Sequence, residues 1–154
     1  MATTATPYGA RPIGTLSSSG SFTSKTRNLP IITTYNTQIS NGDFVKVAAD
    51  GTIAKDTGTT ALTAVGIFLG CSYTDPTTKQ KTFSTFWPAS NAATDAMAYV
   101  LDDPFVVFQM QSDEALNTTD RGLNASVVVT AGNTTFGKSK NALDGSTPAT
   151  TNTL

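Results

Sequence analysis

Short apolar runs, separated by turn-forming residues, fill the middle of this 154-residue chain. Runs of this length that are rich in β-branched and aromatic residues and bounded by Gly, Pro, Asn or Asp are typical of strands. They predict an all-β fold, a small antiparallel β-sandwich or barrel of about seven to nine strands. The candidate strands are Ile31–Tyr35, Phe44–Ala48, Leu62–Tyr73, Thr82–Trp87, Met97–Leu101, Phe105–Met110 and Ala125–Thr130.

Glycines mark two features of these strands. Asp50-Gly51 lies between two short apolar runs and predicts a hairpin. A two-residue type I′ turn needs positive φ at both central positions, which Asp and Gly tolerate. Gly66 and Gly70 lie inside a long apolar run, where glycine predicts a bulge or a close approach of another backbone.

The two-residue period of a strand assigns side chains to faces. It places Phe83, Thr85 and Trp87 on one face of their strand. In the run Phe105–Met110 both faces are apolar, so we expect this strand to be buried on both sides or to contact another subunit. The candidate subunit-interface residues are Phe105, Val107, Phe108 and Met110.

The two ends of the chain differ in composition from its middle. Residues 1–29 are rich in Ala, Gly, Ser, Thr and Pro, which predicts an extended N-terminal arm followed by a β-rich domain over residues 30–144. Residues 145–154 predict a flexible Thr-rich tail. The arm has three cationic and no acidic side chains, which suits docking on an acidic neighbour. Its candidate contact residues are Tyr8, Arg11, Ile13, Leu16, Phe22, Lys25 and Arg27.

The composition argues against most enzyme chemistry. The chain has no His, a single Glu and a single Cys, and only 14% of its residues are charged. Without His, the commonest general base and metal ligand is missing, and Cys71 has no imidazole to activate it. Asp102 and Asp103 could supply oxygen ligands to calcium, but no calcium-loop motif surrounds them. We therefore expect no enzymatic activity, no metal and no cofactor.

Nucleic acid and membrane are not the expected partners. The sequence pI is about 5.1, and no basic cluster is present. No stretch approaches the roughly 18 consecutive apolar residues of a membrane span, and the residues after Met1 do not resemble a secretory signal.

Four stretches carry a resemblance to a known family. They are 7–14 (PYGARPIG), 65–75 (VGIFLGCSYTD), 86–89 (FWPA) and 98–109 (AYVLDDPFVVFQ). Taken in order, they resemble small structural proteins of tailed bacteriophages, particularly in phages of aquatic bacteria. Members of that family are generally taken to be head decoration, or cement, proteins. The resemblance implies a β-rich virion protein that binds the outer surface of the capsid shell as an oligomer and has no enzymatic activity.

The expected partners are then the major capsid protein and other copies of this chain. A homotrimer is expected because capsid lattices offer threefold positions. An extended arm would let one domain contact two capsid subunits at once. The alternative function is a host-surface glycan-binding module of a head or tail fibre, with aromatic side chains such as Trp87 lining a sugar groove.

Overall fold

A computed structural model of the chain describes residues 6–16, 25–58 and 62–150. In these residues the fold is all-β, as predicted, with one 3₁₀ turn at Thr118–Asp120 and no α-helix. The strands are more numerous and shorter than expected. They are β1 (Arg11–Thr15), β2 (Thr26–Pro30), β3 (Ile39–Ser40), β4 (Phe44–Val47), β5 (Ile53–Lys55), β6 (Gly66–Thr74), β7 (Lys81–Ser84), β8 (Phe86–Trp87), β9 (Met97–Leu101), β10 (Val106–Gln109), β11 (Val127–Val128) and β12 (Ala142–Leu143).

Strand β6 is the central strand of the largest sheet. It pairs with β9 along one edge, and along the other edge with β4 and then with β7. Strand β2 extends the sheet beyond β9 and β5 extends it beyond β4, which gives six antiparallel strands. Three two-stranded antiparallel sheets accompany it, β1–β10, β3–β8 and β11–β12. This set of sheets is compatible with a small β-sandwich.

The hydrophobic core is centred on Trp87. Its ring meets the ring of Tyr73 edge to face, with centroids 5.5 Å apart and planes at 81°. Most residues of β6 are buried, on both faces of the strand, so this central strand is covered from two sides. The largest fully buried apolar side chains are Trp87, Phe68, Ile39, Ile53, Leu101, Val45 and Val100.

The β4–β5 hairpin forms where the sequence predicts it, with a different turn. Gly51 has a φ of 80°, whereas Asp50 does not have positive φ. The Gly51 N–H donates to the Ala48 carbonyl at 3.0 Å, and the Ala48 N–H donates to the Thr52 carbonyl at 2.7 Å. This is a three-residue loop closed by a glycine bulge. The Asp50 carboxylate instead accepts bonds from the Thr52 N–H and hydroxyl.

Both glycines of β6 act as predicted. The register between β6 and β9 shifts between Phe68 and Gly70, which is the expected bulge. A Cβ added to Gly66 would collide with the Leu101 carbonyl oxygen of β9. The two strands can therefore approach closely only because position 66 has no side chain.

The predicted strand Thr82–Trp87 is interrupted, so the predicted shared face is wrong. The Phe86 N–H donates to Ser84 Oγ at 3.2 Å, and the Ser84 hydroxyl donates to the Phe86 carbonyl at 2.6 Å. These local bonds replace ladder bonds, and the chain passes from β6 to a different partner, β3. As a result, Phe83 is 73% exposed while Trp87 is fully buried.

The first strand of the predicted β-domain also lies elsewhere. The sequence predicts Ile31–Tyr35, but only Ile31 makes a bridge, to Ile53, and Thr34 adopts a φ of 61° in a turn. The strand is instead β2 (Thr26–Pro30), which ends directly before the predicted strand begins. The boundary expected between residues 29 and 30 therefore falls inside a strand.

The described parts of the expected arm and tail pair with the rest of the chain. Strand β1 pairs with β10, and β2 pairs with β9 over its whole length. Both contain proline, which local sequence patterns treat as a strand breaker but which the outer strand of a sheet tolerates. At the other end, Asn124 and Ala149 exchange both backbone hydrogen bonds, so residues 145–150 are also attached.

Candidate functional site

Two groups of predicted site residues meet in one small sheet. We call β1, β10 and the flanking Leu16 and Phe105 the ribbon. Arg11 pairs with Gln109 at one end of this sheet. At the other end the Leu16 N–H donates to the Phe105 carbonyl at 2.8 Å. Residues predicted to bind the capsid thus lie directly beside residues predicted to form a subunit interface.

The ribbon leaves three large apolar side chains in solvent. Leu16 is 73% exposed, Phe105 63% and Ile13 55%. The register of β1 against β10 shifts between Pro12 and Gly14, so Ile13 lies in a bulge. We call Ile13, Leu16 and Phe105 the ribbon patch. Exposed apolar groups that lie close together mark interaction surfaces more often than isolated ones do.

The other interface candidates are partly covered by the chain itself. Val107, Phe108 and Met110 are half-buried, and Val106 is buried. Phe108 lines a shallow pocket together with Phe44 and residues of the β6–β9 region. Strand β10 therefore packs against its own domain over most of its length, and Phe105, which directly precedes it, is the apolar residue that is left exposed.

The remaining arm candidates are separated from the ribbon patch. Arg27 lies on β2 and forms an ion pair with Asp102, Nη2 to Oδ2 2.7 Å. Lys25 is exposed near the start of β2, and Tyr8 is half-buried ahead of β1. Phe22 lies outside the described residues. The described residues of the predicted arm thus form two edge strands, β1 and β2, which belong to different sheets.

A buried ion pair lies at the base of the β4–β5 hairpin. Lys55 Nζ is 3.0 Å from Asp43 Oδ2, and both side chains are at most 5% exposed. The Asp43 carboxylate also accepts the Ser40 N–H at Oδ2, 2.8 Å, and the Ser139 hydroxyl at Oδ1, 2.5 Å. The ammonium donates a further bond to the Thr130 carbonyl at 3.3 Å. Each charge is therefore paired and hydrogen-bonded in the interior.

Asn141 extends this cluster. Its Oδ1 accepts the Thr130 N–H at 3.1 Å, while its N–H donates to Ser139 Oγ at 3.1 Å. Its Nδ2 is the one buried side-chain nitrogen or oxygen in the described ranges that has no hydrogen-bond partner. Sequence analysis missed the cluster, because Asp43 and Ser139 are 96 residues apart and each resembles an ordinary turn residue.

A cavity of about 430 Å³ adjoins the buried cluster. It is lined largely by small residues, mainly Thr and Ala, and Lys55 contributes to its wall. The Lys55 ammonium is already bonded to Asp43 and Thr130, so the charged end of this side chain is engaged inside the protein.

Two residues considered for chemistry are buried. Burial raises the pKa of the Cys71 thiol to about 12, so the thiolate needed of a nucleophile is disfavoured. The Trp87 ring is wholly buried and is not a surface on which a sugar could stack. Among the described residues, no group of three or more His, Cys, Asp and Glu side chains could hold a metal ion.

No protein-family model, no curated protein and no solved structure matches this chain. In the described part of the chain, no helix has the length and apolar character of a membrane span.

Proposed function

We propose that this chain is a virion structural protein, a capsid decoration or cement protein that binds the outer surface of the major capsid protein shell and stabilises the phage head. The observation that supports this most is the ribbon patch. Its three apolar side chains are exposed, as Phe83 and Phe136 are elsewhere, but they lie together on or beside two strands that pair with each other. The resemblance of the four sequence stretches supplies the identity of the partner.

The way the ribbon patch is held suits such a role. Leu16 and Phe105 are fixed by a backbone hydrogen bond between them, and Ile13 is fixed by the pairing of β1 on either side of it. A surface that is already ordered before binding loses little conformational entropy on contact. A decoration protein that binds only the assembled shell stabilises it at every occupied site.

The patch is small, so we assign it to one partner, the capsid protein. Its members come from both the predicted capsid-binding set and the predicted interface set. Self-association as a homotrimer is proposed from the threefold positions of a capsid lattice. The low content of charged residues predicts capsid binding that salt weakens little.

The test is binding to empty expanded capsids, imaged by cryo-electron microscopy. The unaltered protein should give ordered density at regular lattice sites. The triple variant Ile13→Ser, Leu16→Ser, Phe105→Ser should bind roughly 100-fold more weakly, since a loss of about 1 kcal/mol at each of the three contacts sums to about 3 kcal/mol. Phe83→Ser is the matched control, because Phe83 is equally exposed but lies on β7, in a different sheet.

Bare capsids with the unaltered protein would refute the proposal, and equal binding by the triple variant would refute the role of the ribbon patch. The glycan-binding alternative is less well supported, because its principal aromatic candidate, Trp87, is buried. A glycan screen on the same preparation separates the two functions.

A further inference from the structure

The interior holds an amine and a carboxyl group in direct contact. Lys55 Nζ lies 3.0 Å from Asp43 Oδ2, and the two side chains are 5% and 0% exposed. We propose that these side chains condense in the folded protein into an amide, an isopeptide bond between Lys55 Nζ and Asp43 Cγ. This inference does not depend on the proposed function.

The reaction balances without any other reagent. One proton of the Lys55 ammonium passes to Asp43 Oδ2, and the amine lone pair attacks Cγ, forming the new C–N bond. A second proton passes from nitrogen to Oδ2, and the C–Oδ2 bond breaks as water leaves. The ammonium and carboxylate become one neutral amide and one water molecule, so nothing is oxidised or reduced and the net charge is unchanged.

The surroundings of the pair favour this step. The Ser139 hydroxyl donates to Oδ1, the oxygen that becomes the amide carbonyl, and can stabilise the negative charge that builds there during attack. Oδ2, the leaving oxygen, contacts the ammonium that supplies its protons. The fold holds both groups in place, which replaces a bimolecular encounter with an intramolecular one.

Burial also favours the product over the ion pair. Two charges in a low-dielectric interior carry a desolvation penalty that their attraction offsets only in part. Condensation removes both charges and leaves an amide, whose polar groups need fewer partners. The water that forms is released beside a cavity of about 430 Å³ whose wall includes Lys55.

A second pair in the same hairpin provides the contrast. Lys46 Nζ and Asp56 Oδ1 are 3.8 Å apart, and the Lys46 side chain is 39% exposed. Water solvates that exposed ammonium, and its distance from the carboxylate oxygen is longer than in the buried pair. We therefore expect Lys46 and Asp56 to remain an ordinary ion pair.

The test is the intact mass of the purified full-length protein under denaturing conditions. We expect a mass lower than that of the sequence by one water molecule. The Lys55→Arg variant should have the full mass of its own sequence, with no loss of water, because a guanidinium is not a nucleophile. Lys46→Arg is the matched control and should keep the mass deficit. A full sequence mass for the unaltered protein, or a deficit that persists in Lys55→Arg, would overturn the proposal.

Peptide mapping of the unaltered protein tests the bond without any variant. Trypsin does not cleave after an acylated lysine, so the bond predicts a branched peptide in which residues 28–46 are joined to residues 47–79. Fragmentation should place the junction at Asp43 and Lys55. Loss of water at Asp50-Gly51 by ring closure would give the same intact mass but ordinary linear peptides, and that result would count against the bond.

Discussion

The six-stranded sheet and the ribbon differ in how far their apolar side chains are buried. In the sheet, β6 is buried on both faces, and Val45, Phe68 and Ile53 are inaccessible to solvent. In the ribbon, two strands pair with each other and leave Leu16 and Phe105 largely in water. Both regions are antiparallel, so strand pairing alone does not account for the difference.

What differs is how far the rest of the chain covers each region. Strand β6 pairs with three others, while β1 has only β10 as a ladder partner among the described residues. The β3–β8 sheet is also two-stranded, yet Ile39 and Trp87 within it are fully buried, so coverage by other parts of the chain determines exposure. The exposed apolar side chains of the ribbon, Ile13, Leu16 and Phe105, are therefore available to another molecule, and those of the core are not.

The sharpest test of the contrast between buried and exposed apolar side chains is Trp87→Ala. Removing a fully buried indole should lower the free energy of unfolding by about 3–5 kcal/mol, since the transfer and cavity costs add. Urea denaturation followed by circular dichroism measures it. Phe83→Ala, at an exposed aromatic, should change the same quantity by less than about 0.5 kcal/mol. Equal effects of the two substitutions would contradict the assignment of core and surface.

A smaller effect is expected from Gly66→Ala. The added methyl group would meet the Leu101 carbonyl oxygen of β9, a backbone atom that can move only if the sheet moves. Overpacking of this kind costs typically about 1–3 kcal/mol. Thermal denaturation should show a lower Tm, and an unchanged Tm would mean that β6 and β9 are not as close at this point as described.

The smallest effect is expected at Asp95, at the end of the connection into β9. Its carboxylate accepts the N–H and hydroxyl of Thr74 at 2.8 and 2.7 Å and pairs with Lys81 at 2.9 Å. The backbone bond from Thr74 is the main reason that the pKa of Asp95 lies well below its usual value of 3.8. A lowered pKa in the folded state stabilises the protein above about pH 4, and that stability is lost as the pH falls further.

Asp95→Asn should therefore lower the Tm at pH 7, and the difference from the unaltered protein should shrink below about pH 4. Thermal melts across that range measure it, with Glu114→Gln as a control at an exposed acid. A difference in Tm that stays constant with pH would rule out a contribution from the Asp95 carboxylate.

Local patterns were sufficient for the features that local chemistry determines. Asp50-Gly51 predicted the β4–β5 hairpin, and Gly66 and Gly70 predicted a close approach and a bulge in β6. The type of turn was not predictable, since type I′ and a glycine-bulge loop both accept Asp-Gly. The choice depends on the hydrogen bonds that Thr52 makes across the loop.

Features that depend on distant pairing were not predicted. Strands β1 and β2 contain prolines and few apolar residues, and only their partners β10 and β9 show that they belong to sheets. In the same way, Trp87 was assigned to the face of Phe83 because nothing nearby shows that Ser84 interrupts the strand. The buried pair of Asp43 and Lys55 joins residues that, taken one at a time, suggest solvent-exposed turns.

The pairing of the first strands with nearly the last ones has a consequence for synthesis on the ribosome. Arg11 faces Gln109, and Thr26 faces Leu101, so β1 and β2 are made long before their partners. At an elongation rate of about 5–20 residues per second, they remain unpaired in the nascent chain for on the order of 5–20 s. Unpaired strands are prone to join other chains, and Pro12, Arg27 and Pro30 are residues that discourage such pairing. The prolines, because of which the sequence pattern does not predict these strands, thus help to keep the nascent chain monomeric until β9 and β10 emerge.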